Sequence, residues 1–133
     1  MQIAKGTFEV KMNPEPPYFE GDGVTLARAT FDKEFHGPLT ATSLVQFLSV
    51  RAGEHAAYVA LERIDGSLDG KKGSFVVMHK AFASAAQQSL VIEIVPGTGS
   101  GALAGITGTM HIDIVDKKHF YTVNYALPAD LRA

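Results

Sequence analysis

Glu62 and His79 carry the clearest capacity for chemistry in this chain, because side-chain alternation sets both among apolar neighbours: Tyr58, Ala60 and Ile64 flank the first, Phe75 and Val77 precede the second. A carboxylate on an apolar wall loses hydration and needs a partner or a proton, and an imidazole supplies either. Beside a bound molecule such a pair is a general acid/base or a polarising device; without one it is a structural pair that pins strand register. Tyr58, Tyr121 and Tyr125 could orient a ligand oxygen, although core tyrosines more often tie their hydroxyls to backbone. With Phe75 as apolar wall, the candidate ligand-binding set is Glu62, His79, Tyr58, Tyr121, Tyr125 and Phe75, and no residue is assigned as catalytic.

Other chemistries find little support. His36, His55, His111 and His119 lack metal-type spacing, and His111 with Asp113 shares one strand face but has no third ligand, so no metal is expected. Pro96 to Gly105 is glycine-rich without the Lys-Ser/Thr of a phosphate loop, and Gly99-Ser100-Gly101 lacks the spacing of a nucleophile elbow. The absence of cysteine removes thiolate nucleophiles and thiolate metal sites. No cofactor is expected.

These side chains need strands to position them. Val24 to His36 alternates with period two, placing Ala27, Ala29, Phe31 and Phe35 on one side; Lys33 breaks that apolar parity and is expected near a strand end or bulge. Six further runs, LTATSLVQFLSVR, AYVALERIDGSL, SFVVMHKAF, SLVIEIV, GTMHIDIV and HFYTVNYAL, join the N-terminal Ile3–Met12 run to give eight strands. Asn13 to Gly23 reads as a Pro-rich loop and every other connection as short, which favours an antiparallel meander. Glu54 to Ile64 is rich in helix formers, yet the symmetry of the next hairpin about Asp69-Gly70-Lys71-Lys72 favours a strand. A turn there pairs Glu62 with His79, Ile64 with Val77 and Gly66 with Phe75. A turn at Lys117-Lys118 pairs Ile114 with Tyr121, Ile112 with Val123 and Met110 with Tyr125. Because Arg63 and Lys80 belong in solvent, Tyr58, Ala60, Glu62, Ile64, Phe75, Val77 and His79 point inward.

One layer of eight strands must bury its inner face, and curling until its edges meet does so while removing exposed edges. The expected fold is therefore all-β, a single eight-stranded antiparallel barrel, closed or nearly closed, over residues 1–133. Such a barrel is filled by side chains or holds one small ligand. The 133 residues suit one domain, 46% hydrophobic content suits a packed core, and a net charge of -2 makes nucleic acid an unexpected partner. No apolar run reaches membrane-spanning length, so no membrane partner is expected and the chain reads as cytoplasmic.

The segments YVALERIDGSLDGKKGSFVVMHK and VPGTGSGALAGITGTMHI, with Gly37, Leu39 and Thr42 before them, resemble the bacterial family called domain of unknown function 3224. The resemblance spans Phe8 to Leu127 and implies a barrel similar in fold to allene oxide cyclase, calycin-like in outline. It implies no activity, since folds host unrelated functions. Three expectations follow. The first is a barrel binding a small, largely apolar ligand against Glu62 and His79; the second is a cofactor-independent cyclase or isomerase acting beside Glu62. The third is a self-associating module, because Val59, Leu61, Val76, Met78 and Phe82 fall on the outer parity, and a homodimer through those strands would cover them.

Overall fold

The computed structural model describes residues 1–131. Period-two alternation produces nine strands: β1 (Gln2–Pro14), β2 (Phe19–Gly21), β3 (Val24–His36), β4 (Leu39–Ala52), β5 (His55–Leu68), β6 (Lys71–Ala83), β7 (Gln88–Ile94), β8 (Thr107–Val115) and β9 (Lys118–Ala126). They form one antiparallel sheet, β1-β9-β8-β7-β6-β5-β4-β3-β2, which β1 closes by pairing with β3 from Thr7↔His36 to Pro14↔Ala29. Eight strands make the barrel, and β2 adds a three-residue rung beside Val24–Leu26. The helix-prone stretch after Glu54 is strand, as its hairpin symmetry implied; its tertiary pairing with β4 and β6 overrides local propensity. The Pro-rich segment departs from the expected loop at both ends, since β1 runs through Asn13 and Pro14 and Phe19–Gly21 is strand. Pro14 is tolerated at the end of β1, where it lies beyond the last residue paired with β9.

Two hairpins differ from the expected register by two residues. Their turns are Asp69-Gly70 (φ 50 and 79) and Asp116-Lys117 (φ 52 and 66), both with two left-handed residues, the arrangement whose twist matches the flanking strands. Leu68 therefore pairs with Lys71, which sets Glu62 opposite Val77 and His79 opposite Ala60, not opposite each other. In the last hairpin Ile112 faces Tyr121 and Met110 faces Val123. A slip of two leaves every side chain on its expected face, so the inner and outer assignments stand.

The connection from Val95 to Ile106 is longer than expected. It contains a 3₁₀ turn at Gly101–Leu103 and drives Leu103 and Ile106 into one end of the barrel. There Leu68, Phe75, Tyr121, Tyr125 and Leu127 pack around them in a continuous buried core. The other end is different. Its inward-parity side chains Met12 (52% exposed), Leu90 (42%) and Ile114 (64%) are open to solvent although they continue rows whose deeper members, Phe8, Ile92 and Met110, are buried. The barrel is thus plugged at one end and an unfilled apolar cup at the other.

Candidate functional site

The floor of the cup is polar and charged. Glu62, from the middle of β5, is fully buried and accepts three hydrogen bonds: from Ser43 on β4 (2.5 Å to Oε2), from Lys33 on β3 (3.2 Å to Oε1) and from His79 Nε2 on β6 (2.8 Å to Oε1). The Glu62–His79 pair forms diagonally, with His79 one rung nearer the open end, a reach that long side chains span on one sheet face. Lys33 is the residue that sequence reasoning misplaced. It sits mid-strand, 9% exposed, pointing inward with its ammonium 5.0 Å from the centre of the Phe8 ring. A lysine there is tolerated because the carboxylate of Glu62 and the faces of Phe8 and Phe35 replace its water. Its parity with Ala29, Phe31 and Phe35 was the available signal, and polarity overrode it.

Burial by itself would raise the Glu62 carboxyl, but the His79 hydrogen bond, the Lys33 charge and the Ser43 hydroxyl outweigh it and hold the carboxyl below its ordinary value. Glu62 is therefore an anion at neutral pH, and His79 meets it with a proton on Nε2. Among the described residues, no buried side-chain nitrogen or oxygen lacks a hydrogen-bond partner. His79 bonds only through Nε2, and its Nδ1, without a partner in the chain, is not fully buried. The arrangement can do one thing chemically: present an imidazole nitrogen, oriented by a carboxylate behind it, to whatever occupies the space above.

Above the floor the walls are small and aromatic. Ala60 pairs with His79 and Tyr58 with Ala81, which leaves room that large side chains would fill. Phe31, Phe47 and Tyr58 stack along one side, with ring centroids 5.2 Å apart for the first pair and 4.6 Å for the second. A recess of about 300 Å³ opens there, lined by Phe47, Ser49, Arg51, Ala56, Tyr58 and Ala81 among others. Burial, then the nearby Glu62 charge, raises the Tyr58 hydroxyl, which keeps it a neutral donor.

Of the expected site residues, Glu62, His79 and Tyr58 line or underlie the cup. Tyr121, Tyr125 and Phe75 belong to the plugged end. The Tyr121 hydroxyl donates to His36 O (2.8 Å) and accepts from Leu39 N (2.9 Å), and that of Tyr125 bonds Asp69 and Gln2. These are core tyrosines that close the barrel floor. Outside, Val59, Leu61, Met78 and Phe82 are about half exposed, with Leu48 and Val91 beside them and Val76 partly covered. His111 and Asp113 are exposed, and among the described residues no three His, Asp or Glu side chains converge as a metal ion requires. Among the described residues, no helix is long and apolar enough to cross a membrane.

A concavity of about 1040 Å³ lies along the outer wall from β1 to β6, where Glu9, Lys11, Asp32, Glu34, Arg63 and Asp65 are exposed. Lys33, Ser43 and Glu62 also border it, but their side chains point into the barrel and bond one another there, so what this face offers is mixed surface charge in an open form.

Residues 4–125 match the family described as "Protein of unknown function (DUF3224)". The crystal structure of a protein of unknown function from that family, from Shewanella oneidensis MR-1, superimposes with a TM-score of 0.89 at 39% sequence identity, covering 96% of this chain and 98% of that one. Among curated proteins, no match to this chain was found. The eight-stranded barrel implied by the sequence resemblance is the one the chain forms; kinship with allene oxide cyclase rests on that resemblance alone.

Proposed function

We propose, from the premise that this chain belongs to the DUF3224 family of proteins of unknown function, that its barrel is a container for a small, largely apolar molecule. One observation carries this reading: the inward side chains Met12, Leu90 and Ile114 at the open end are apolar and exposed, above a floor where Lys33 and His79 hold the Glu62 carboxylate. Apolar walls with a few convergent polar groups are the common make-up of small-molecule sites. Titration calorimetry with naphthalene, 1-octanol and 2-octanone tests the reading against Ser49→Phe, which fills the recess from a half-buried position. Wild type should bind at least one of these probes and Ser49→Phe should bind at least tenfold more weakly. Absence of binding by wild type overturns the proposal.

A second reading, catalysis without a cofactor, is favoured by the single accessible nitrogen of His79. In it His79 rather than Glu62 is the base that would touch substrate, and Glu62 orients it. For assembly we propose a homodimer through the outer wall of β4 to β7. Leu48, Val59, Leu61 and Met78 stand exposed on adjacent rungs, and Lys80 and Glu93 offer opposite charges on the same face, so a second copy meets both. Light scattering at micromolar concentration should give twice 14.2 kDa for wild type and the monomer mass for Met78→Glu, with both chains folded. A monomeric wild type refutes the dimer.

A further inference from the structure

We propose that the molecule held in the cup is elongated and carries one hydrogen-bond donor, typified by a hydroxyl, which rests on His79 Nδ1 while its apolar tail lies in a breach of the barrel wall between β7 and β8. The inference rests on the binding reading above and names the class of ligand. Its first support is the floor. Ionised Glu62 accepts a hydrogen bond from His79 Nε2, and Nδ1, the ring's other nitrogen, makes no hydrogen bond within the chain. A hydroxyl, which both donates and accepts, bonds that nitrogen whether or not it carries a proton; a ketone or ether oxygen, which only accepts, has no bond to make with its lone pair.

The second support is the wall. β6 and β7 pair over Val77–Ala83, and β8 and β9 over their whole length, but β7 and β8 share only the pairs Ile92↔Met110 and Glu93↔Thr109. Towards the open end, Gln88–Val91 and His111–Val115 face each other without pairing. A barrel normally removes such edges, so this seam is a gap in an otherwise closed ladder. The inward side chains on its two banks are Gln88 at the mouth, then Leu90, half-buried Ile112 and Ile114, a slot that is apolar below Gln88.

The two features are contiguous. His79 pairs with Ile92, and Ile92 is the last inward residue of β7 below the gap. A chain anchored at Nδ1 therefore meets Leu90 and Ile112 one rung above. Straight-chain alcohols suit this geometry, and each added methylene lying in the slot should raise affinity about fourfold.

The test compares 1-octanol with 2-octanone, and 1-hexanol with 1-decanol, by calorimetry on wild type, His79→Phe and Leu90→Asp. Wild type should prefer 1-octanol over 2-octanone by roughly tenfold, the worth of one good hydrogen bond, and His79→Phe should remove that preference while retaining an aromatic ring. In Leu90→Asp, a substitution at an exposed position, the gain from 1-hexanol to 1-decanol should shrink. Equal binding of octanol and octanone by wild type, or a preference unchanged in His79→Phe, overturns the head-group assignment. An unchanged length dependence in Leu90→Asp overturns the slot. If wild type binds neither alcohol nor ketone nor naphthalene, the container reading itself fails, an outcome distinct from both.

Discussion

Replacing Lys33 by methionine should lower the stability of the barrel by on the order of 3–5 kcal/mol, because it leaves Glu62 buried without its cation. Glu62→Gln should cost a similar amount, since it strands the ammonium of Lys33 over the Phe8 ring. The double variant Lys33→Met/Glu62→Gln should be far less damaged than the sum, with a coupling on the order of 1–3 kcal/mol read from urea midpoints. The same pair sets the acid limit. The Glu62 carboxyl is held down in the folded chain, so its stabilisation is fully present above the unfolded carboxyl value, about 4.3, and is lost as pH falls through the lower folded value. Wild type should lose stability on acidification below about pH 5, and the double variant should show a shallower loss. Additive single effects with parallel acid profiles would show that the ion pair contributes nothing.

Gly108→Ala should be the other severe change. Gly108 lies inside β8 opposite Tyr125 with φ of +144, a region that residues with a side chain rarely adopt, and a Cβ there would press directly on the carbonyl of Asn124. Backbone strain and overpacking each contribute roughly 1–3 kcal/mol, and the neighbour is backbone, which cannot swing aside. The expected loss is on the order of 3–5 kcal/mol in a urea melt. Gly70→Ala is the control: its φ of +79 carries the same kind of strain, but no atom stands within 4 Å of the added methyl, so only the strain part should be lost. Equal losses at both positions would refute the packing account of Gly108.

Most of the architecture was legible because a closed barrel makes each strand obey one rule, inward and outward in turn. Asp32 to His36 alternates strictly between exposed and buried, and even Lys33 keeps its parity in the structure. Reading Lys33 as a defect failed for a physical reason: a buried ammonium is too costly alone, and its counterion comes from β5, two strands away in the sheet and far along the chain. Turn positions were the other gap. Lys117 in a left-handed conformation is unusual for a residue with a side chain, so Asp116-Lys117 gave no clear signal beside Lys117-Lys118. Because the resulting error was two residues, it moved partners without moving faces. The plug at Gly101–Leu103 was also beyond reach, since Val95 to Ile106 carries turn glycines whose destination depends on the closed barrel it fills.

The central claim is that an apolar molecule occupies the open end of the barrel above His79. Methyl NMR on ¹³C-labelled isoleucine, leucine and methionine side chains, recorded during titration with 1-octanol, tests it most directly, because the inner and outer walls carry separate reporters. The account predicts saturable shifts at Met12, Leu90, Ile112 and Ile114, with Leu48, Leu61 and Met78 unmoved. Shifts confined to Leu48, Leu61 and Met78, or no shifts at all, would contradict it.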